Sequence, residues 1–384
     1  MHFADGTIPE DYLRYTYAKY LWILGGIAFL FILLILSISV GAVSIPAYDV
    51  FLTLVNGAID RINDVLALIS EETSFLHLEI PRFGETASHK WDAIIWNIRL
   101  PQALAAIAAG VGLSVAGVAM QSILRNPLGS PFTLGISNAG AFGAAVSIVL
   151  LGTGRMTSTV AGAVVINNPY LTTFVAFAFC LLATAVILLI AKIRGASPEV
   201  MVLAGVALSS LFTAGTMFLQ YFADDTQLAA VVFWTFGDVG RAGWRELWIM
   251  GVVVAIACMY FIANRWNYNA IDAGDETAKG LGVNVERIRN LGMVVAALVT
   301  AVIVSFLGVI GFVGLVCPHM VRRIIGDEQR FLIPGSMVMG GILLLASDTA
   351  ARLIVAPYVL PVAVLTAFMG APVFIYLLLR GYRR

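Results

Sequence analysis

Long apolar runs separated by short polar segments follow one another along most of the chain. A helix that crosses a bilayer needs about 20 apolar residues, and many of the runs approach that length. The pattern predicts ten membrane spans: Tyr20–Val43, Arg99–Ser122, Thr133–Leu151, Tyr170–Ala191, Val200–Phe222, Leu247–Ala263, Leu291–Ile310, Gly311–Ile325, Ile333–Val355 and Pro361–Leu379. We therefore expect an all-α polytopic membrane protein in which residues 1–384 form a single transmembrane domain.

Glycine and proline interrupt several of these runs, so some spans should be short or broken. Gly311–His319 is too brief for an ordinary crossing and contains Pro318. Broken helices at membrane depth usually lie inside the protein, against a cavity. In the second span Ala106, Gly110 and Ser114 recur at intervals of four, which predicts a flat ridge where helix backbones approach closely.

The first of two long polar segments is residues 44–91, between the first two spans. Its charges exclude it from hydrocarbon. The apolar positions of Val50–Ile69 fit a helix with one apolar face, and we expect that face to pack on the membrane domain.

The second polar segment is residues 264–290, in which Asp272–Arg289 carries seven charged side chains between two apolar runs. Burying each charge in a bilayer would cost roughly 2.5–3.5 kcal/mol, so the segment must lie on an aqueous face. Asp275 and Glu276 suit the start of a short helix, and Gly280 and Gly282 suit its end. The residues alone are compatible with a solvated connector or with a surface that a partner binds.

Composition places the chain in the membrane class, with 60% hydrophobic residues, 12% charged residues and a mean hydropathy of +0.92. A net charge of zero gives no reason to expect nucleic acid. Cys180, Cys258 and Cys317 lie in apolar runs without paired spacing, and His319 has no second ligand at coordinating spacing. We therefore predict no metal site and no cofactor.

The basic residues predict the orientation, because the side richer in lysine and arginine is usually cytoplasmic. An even number of spans places both termini on one side, and most of the 23 basic residues fall there. The exceptions are Arg61, Arg82, Lys90, Arg99, Arg155, Arg241, Arg245 and Arg352. We expect residues 1–19 and 264–290 in the cytoplasm, residues 44–91 outside, and a multi-pass protein of the cell membrane.

Three blocks of sequence carry a resemblance to a known family. They are Ile98–Pro101 with Gly117–Gln121 and Arg125–Leu128, then Gly311–His319, then Ala346–Arg352 with Leu360–Val362 and Gly370–Pro372. From about Trp96 to the C-terminus the chain resembles the permease subunits of ATP-binding-cassette (ABC) importers for iron chelates such as siderophores and haem, and for vitamin B12. It departs from them in a longer outer loop and in Gln102, where a basic residue is common.

The resemblance implies a homodimer of this subunit, two ABC ATPase subunits and an external substrate-binding protein. The chain has no phosphate-binding loop of the G-x-x-x-x-G-K-[ST] type, so it would be a transport subunit, and ATP hydrolysis would come from the separate ATPase. By resemblance, the residues that contact the ATPase are Gly274, Asp275, Glu276, Thr277, Ala278, Lys279, Gly280, Leu281 and Gly282. Asn126 and Leu128 resemble the cytoplasmic gate, and Arg99 and Arg352 resemble the arginines that dock the binding protein.

Each assignment has a structural alternative. Asn126 before a proline also suits a turn, and Asp348 and Arg352, four apart on a helix, can pair with each other. An ion-gradient-driven secondary transporter would also contain broken helices, but it should carry carboxylates at mid-membrane depth. A membrane-embedded enzyme is disfavoured, because the spans contain no paired acids, metal ligands or nucleophile with its base.

Overall fold

A computed structural model describes residues 10–41, 43–73, 80–84, 89–156, 164–166, 168–194, 197–356 and 358–379. The helices of this part are α1 (Glu10–Ser39), α2 (Ala47–Thr73), α3 (His89–Ile94), α4 (Leu100–Ile123), α5 (Ile136–Ala145), α6 (Pro169–Ile193), α7 (Pro198–Phe222), α8 (Asp225–Thr235), α9 (Trp244–Ala263), α10 (Arg265–Asp272), α11 (Asp275–Gly280), α12 (Val285–Leu307), α13 (Val313–Ile325), α14 (Gln329–Leu353) and α15 (Val362–Leu379). Two π-helical turns, Ile95–Arg99 and Val146–Leu150, join α3 to α4 and extend α5, and Val239–Arg241 forms a 3₁₀ turn. The strands β1 (Gly154–Met156) and β2 (Val164–Ile166) pair antiparallel.

The predicted all-α membrane fold is confirmed, apart from that small hairpin. Within the described residues, seven helices are long and apolar enough to cross a bilayer: α1, Trp91–Ile123, α6, α7, α9, α12 and α14. The other three predicted spans correspond to shorter helices, namely α5 with its π turn, α13 and α15. Short and broken spans were expected where glycine and proline interrupt the apolar runs, and the structure has them there.

Helix α4 is the centre of the bundle and packs on α14, α12, α9 and α13. The predicted small-residue ridge on α4 is confirmed. A Cβ added to Gly110 would lie 2.1 Å from the carbonyl oxygen of Gly340 on α14, and one added to Gly117 would lie 1.8 Å from that of Gly314 on α13. Backbones this close leave no room for side chains, so α4 is held rigidly between its neighbours.

Left-handed backbone separates α12 from α13. Gly308 caps α12 with φ +82°, and Phe312 precedes α13 with φ +66°, a conformation that a bulky residue seldom adopts. Pro318 lies inside α13, where its ring nitrogen cannot donate to the preceding turn. The expected interruption of the eighth span is therefore present, and α13, which forms this span, has only 13 residues.

The helices end at two levels, which we name after the elements there. The α11 end contains α10, α11 and the last turns of α4, α6 and α13. The α2 end contains α2, α3, α8 and the last turn of α1. The eight basic residues expected on the side opposite the termini are at the α2 end, whereas the 264–290 segment is at the α11 end.

At the α2 end, the segment 80–83 lies extended along α2 and is held by two asparagine side chains. Asn63 accepts from the backbone N–H of Ile80 and donates to its carbonyl, both at 2.9 Å. Asn56 makes the same pair of bonds to Phe83 at 2.7 and 3.1 Å. Each amide side chain thus replaces the backbone of a neighbouring strand.

Helix α2 is also fixed to the π-helical turn after α3 and, through it, to α9. The Arg61 guanidinium lies 4.1 Å from the ring centroid of Trp96, which stacks on Trp244. Of the predicted apolar face, Val50 and Leu52 are buried, but Ala58 and Ile62 are exposed. The predicted apolar face is therefore wrong at Ala58 and Ile62, and the polar side chain of Asn56 is buried on this helix, where it bonds to the extended segment.

Candidate functional site

The predicted short helix is present as α11, with Asp275 and Glu276 in its first turn and Gly280 as its last residue. Gly274 before it has φ +118° and Gly282 after it has φ +83°, both outside the range that other residues favour. The chain therefore turns sharply at each end of α11. Gly280 has no left-handed backbone, so a penalty for a branched side chain is expected at Gly282 and not at Gly280.

One side of α11 is fixed to the bundle by a buried ion pair. Nη2 of Arg289, on α12, lies 3.0 Å from each carboxylate oxygen of Asp275. The Arg289 side chain is 5% exposed and that of Asp275 is 29% exposed. Nε of the same arginine donates at 3.1 Å to the carbonyl of Ile123, the last residue of α4. One guanidinium thus joins three helices.

A second polar contact holds the end of α10. Oδ2 of Asp272 accepts from the hydroxyl of Ser122 at 3.2 Å and from Nε2 of Gln329 at 2.8 Å. The Gln329 amide also donates to Ser122 at 2.8 Å, and the Gln329 backbone N–H donates to Asn269 at 2.9 Å. Ser122 and Gln329 are buried, whereas Asp272 as a whole residue is exposed. These bonds link α10 to the last turn of α4 and the start of α14.

Apolar packing beneath α11 is small. Ala278 is its buried residue and packs with Ala270, Ile271 and Val285 in a cluster separate from the main core. Glu276, Lys279 and Leu281 are exposed, and Lys279 donates to Glu276 at 2.9 Å. That hydrogen bond, with the neighbouring negative charge, raises the pKa of Lys279. The outward face therefore offers charges of both signs and one apolar side chain.

The polar turn after α4 contains the predicted gate residues. Oδ1 of Asn126 accepts from the backbone N–H of Leu128 at 2.9 Å, so the turn role proposed for Asn126 is confirmed. Leu128 is 44% exposed. From α13, Nε2 of His319 lies 2.7 Å from the carbonyl oxygen of Pro127, and the ring packs edge-on against Phe374. The predicted packing role of His319 is thus confirmed, and it holds this turn.

A polar cavity of about 530 Å³ lies between the turn and α11. It is bordered by the start of α7, and its charged side chains are Arg125, Glu199, Asp275 and Arg289. Two of these groups are basic and two are acidic, and Asp275 and Arg289 pair with each other. The sequence alone did not indicate this cavity.

The two predicted docking arginines are at the α2 end, and both donate hydrogen bonds within the protein. Arg99 is buried and donates to the backbone carbonyls of Ile38, Ser39 and Val43, at and beyond the end of α1. Arg352 is 12% exposed and pairs with Asp348 at 3.0 Å, which confirms the predicted pair. It also donates to Ser37 at 2.7 Å.

Sequence reasoning placed α11 but missed the residues that anchor it. Arg289 and Asp275 are in the stretch that was singled out, yet Ile123 and Ser122 lie far away in the chain. An arginine just inside an apolar run is the one signal of such a role, because a charge there requires a partner.

Apolar crossing helices around a buried central helix, with a short exposed polar helix at one end, define a multi-span integral membrane protein. Comparison with known proteins makes this specific. The FecCD transport family matches residues 29–380, so the chain belongs to the FecCD transport family and is a transport subunit of the ABC importer type.

Individual relatives agree with this assignment. The chain is 60% identical over 291 residues to MJ0087 of Methanocaldococcus jannaschii, named as an ABC transporter permease protein, covering 76% of this chain and 83% of that one. It is 34% identical to the hemin transport system permease HmuU of Yersinia pestis, covering 82% and 92%. It is 35% identical to the vitamin B12 import permease BtuC of Citrobacter koseri, covering 78% and 87%.

A solved structure of a metal-chelate type ABC transporter in an inward-facing conformation superposes with a TM-score of 0.74 at 26% identity. The superposition covers 93% of this chain and 98% of that one.

Proposed function

We propose that this chain is the permease of an ABC importer that moves an iron chelate, haem or a corrinoid into the cytoplasm. The observation that carries the proposal is α11, a six-residue helix anchored to the bundle on one side and exposed on the other. A helix with charges of both signs outward suits a cleft on a partner protein. In an ABC importer that partner is the ATPase, and α11 is its contact, from Gly274 to Gly282.

The ligand class follows from the relatives, whose names include hemin and vitamin B12 permeases. Both ligands are large rings that hold a metal, so a wide path is required. Two copies of this chain around one axis would provide it, and apolar side chains exposed on α7, including Leu203, Leu211 and Phe218, are suited to lipid or to the second copy. Residues 1–384 would act as one transmembrane domain.

For orientation, we propose that the α11 end is cytoplasmic and the α2 end external. The distribution of basic residues supports this, and so does the need for α11 to meet an ATPase. Residues 1–19 and 264–290 are then cytoplasmic, and residues 44–91 are external.

Asn126 and Leu128 are proposed as the cytoplasmic gate, because their turn lies at the α11 end with Leu128 exposed in the single chain. Arg99 and Arg352 are proposed as docking residues only if they release their present hydrogen-bond partners within the chain and bind carboxylates of the binding protein instead. A carboxylate of the binding protein would have to displace Asp348 from Arg352, which makes direct docking costly. Stabilising the outer rim is the role that their contacts favour.

Reconstitution in liposomes tests the function. The permease is purified with its ATPase and binding protein, and uptake of haemin, a ferric siderophore and cyanocobalamin is measured with and without internal ATP. ATP-dependent uptake of one of them is expected. Uptake that follows an imposed ion gradient without ATP would instead support a secondary transporter.

Cysteines placed at the exposed positions Asp64 and Glu276 test the orientation. The first should react with an impermeant maleimide only from outside, and the second only from the cytoplasmic side. The reverse pattern would refute the proposed orientation.

A further inference from the structure

Two polar links join the α10–α11 segment to adjacent residues of α4. Arg289 connects Asp275 on α11 to the carbonyl of Ile123, and Asp272 connects the end of α10 to Ser122. The turn at 125–129 follows α4 directly. A path of direct hydrogen bonds therefore leads from α11 to the end of α4, next to that turn.

We propose that Arg289 is the positioning residue that transmits displacement of α11 to the end of α4, and so to the turn at 125–129. This inference rests on the proposed function, in which α11 receives the ATPase and the turn forms the gate. The planar guanidinium suits the task because it donates in different directions at once, from Nη2 to the carboxylate and from Nε to the carbonyl. A lysine in its place could keep the ion pair but would lose the fixed second direction.

The surroundings determine what such a displacement would move. Helix α11 buries one side chain, Ala278, in a four-residue apolar cluster, so little packing opposes its motion. Earlier in α4, before Ile123, the backbones of neighbouring helices lie against Gly110 and Gly117, so the helix cannot bend freely. A displacement of Ile123 should therefore change the conformation of the chain after α4, in the turn at 125–129.

The far side of the turn is fixed separately. His319, on α13, contacts the carbonyl oxygen of Pro127. The α4 side of the turn and its α13 side are thus held by different elements. Motion of one relative to the other changes the conformation around Asn126 and Leu128.

The two links hold different parts of the segment. Asp272 and Asn269 tie α10 to Gln329 on α14, which fixes the base of the segment to a long buried helix. Arg289 holds α11 itself. The Arg289 link is the one that bonds a side chain of α11 itself to the guanidinium that reaches Ile123 at the end of α4.

The test measures the gate directly in the complete complex of permease and ATPase, reconstituted in lipid nanodiscs. The reporter is the Leu128→Cys variant, labelled by a small maleimide with and without ATP and vanadate. Cys180, Cys258 and Cys317 are buried, so background labelling is low. Arg289→Met and Arg289→Lys are compared with Arg194→Met, which alters an exposed arginine at the same end.

In the Arg194→Met control, the nucleotide should change the labelling rate as it does in the parent complex. In Arg289→Met, the change in labelling rate that the nucleotide causes should be at least about fivefold smaller, since couplings between sites are typically five-fold or more. Arg289→Lys should lose this change as well while keeping the fold and the bound ATPase. The lysine variant carries the test if Arg289→Met does not fold.

An unaltered response in Arg289→Lys, beside a responsive parent complex, would overturn the relay and leave the proposed function intact. A parent complex whose labelling ignores the nucleotide would overturn the gate assignment, and the relay with it. Loss of ATPase binding in Arg289→Lys would also overturn the relay, because the residue would then act on assembly.

Discussion

The two ends of α4 are both held by buried arginines, but the arginines connect different things. At the start of α4, Arg99 donates to carbonyls at the end of α1, a long crossing helix. At its other end, Arg289 joins Ile123 to Asp275 on a six-residue helix. The same guanidinium chemistry thus joins long helices at the α2 end and attaches a small helix at the α11 end.

This difference means that the two ends of α4 are held by different amounts of apolar packing. Around Arg99 and Arg352 the helices pack in the main apolar core, so the polar contacts add to extensive packing. Around Arg289 the packing is the small cluster of Ala270, Ile271, Ala278 and Val285. Polar bonds therefore account for a larger share of what holds α11, and such bonds can be exchanged with water or a partner more readily than buried apolar surface.

The largest effect is expected from breaking α4 itself, since the comparison assumes a rigid helix between the two ends. Gly117→Ala would place a Cβ 1.8 Å from the Gly314 carbonyl oxygen, and neither backbone can move aside cheaply. We expect loss of monodisperse protein in size-exclusion chromatography. Gly251→Ala on α9 is the matched control, because its Cβ meets nothing within 4 Å. Equal behaviour of the two variants would contradict the rigid crossing.

The next largest effect should come from Asp348→Ala at the α2 end. Arg352 would be left with a buried charge and no carboxylate, a change that typically costs 3–5 kcal/mol. The measurement is the free energy of unfolding by SDS titration in mixed micelles. Asp60→Ala removes an exposed ion pair with Arg82 and should show no measurable change. A small effect of Asp348→Ala would mean that the α2 end is not the stiffer one.

Asp275→Ala at the α11 end should cost less, roughly 1–3 kcal/mol. Its carboxylate is 29% exposed, whereas that of Asp348 is 2% exposed, and Arg289 would keep its bond to Ile123. The same titration checks it, with Glu276→Ala as the control on the same helix. A loss as large as that of Asp348→Ala would remove the contrast between the two ends.

The smallest effect is expected at the glycines that flank α11. Gly282→Ala forces a side chain into left-handed backbone at φ +83°, at a cost of about 1 kcal/mol. Gly280→Ala has ordinary helical backbone and open space, so it should be neutral or slightly stabilising. Thermal unfolding of the two variants side by side tests this. A greater loss of thermal stability in Gly280→Ala than in Gly282→Ala would show that Gly280, and not Gly282, has the left-handed backbone after α11.

The sequence predicted the spans and α11 well, because both depend on local pattern. Apolar runs define crossing helices, and charges with flanking glycines define a short polar helix. The i,i+4 pair of Asp348 and Arg352 and the turn at Asn126 were predictable for the same reason. Each depends on residues that are close in the chain.

What the sequence did not predict depends on tertiary contact. The bond from Arg289 to Ile123 and the contact of His319 with Pro127 join residues far apart in the chain. The carbonyls that Arg99 binds likewise belong to α1 and the turn after it, and no side-chain pattern marks a backbone acceptor. The docking roles of Arg99 and Arg352 came from family resemblance, and they remain predictions.

The proline inside α13 has a consequence for the contact of this helix with α4. Pro318 has no N–H, so it cannot supply the usual hydrogen bond to the carbonyl of Gly314 four residues earlier. That carbonyl lies against Gly117 on α4, where a Cα–H can contact it. The carbonyl oxygen that the proline leaves without its usual helical donor is therefore the one that the backbone of Gly117 approaches, and the absence of a side chain at position 117 keeps α4 and α13 in contact there.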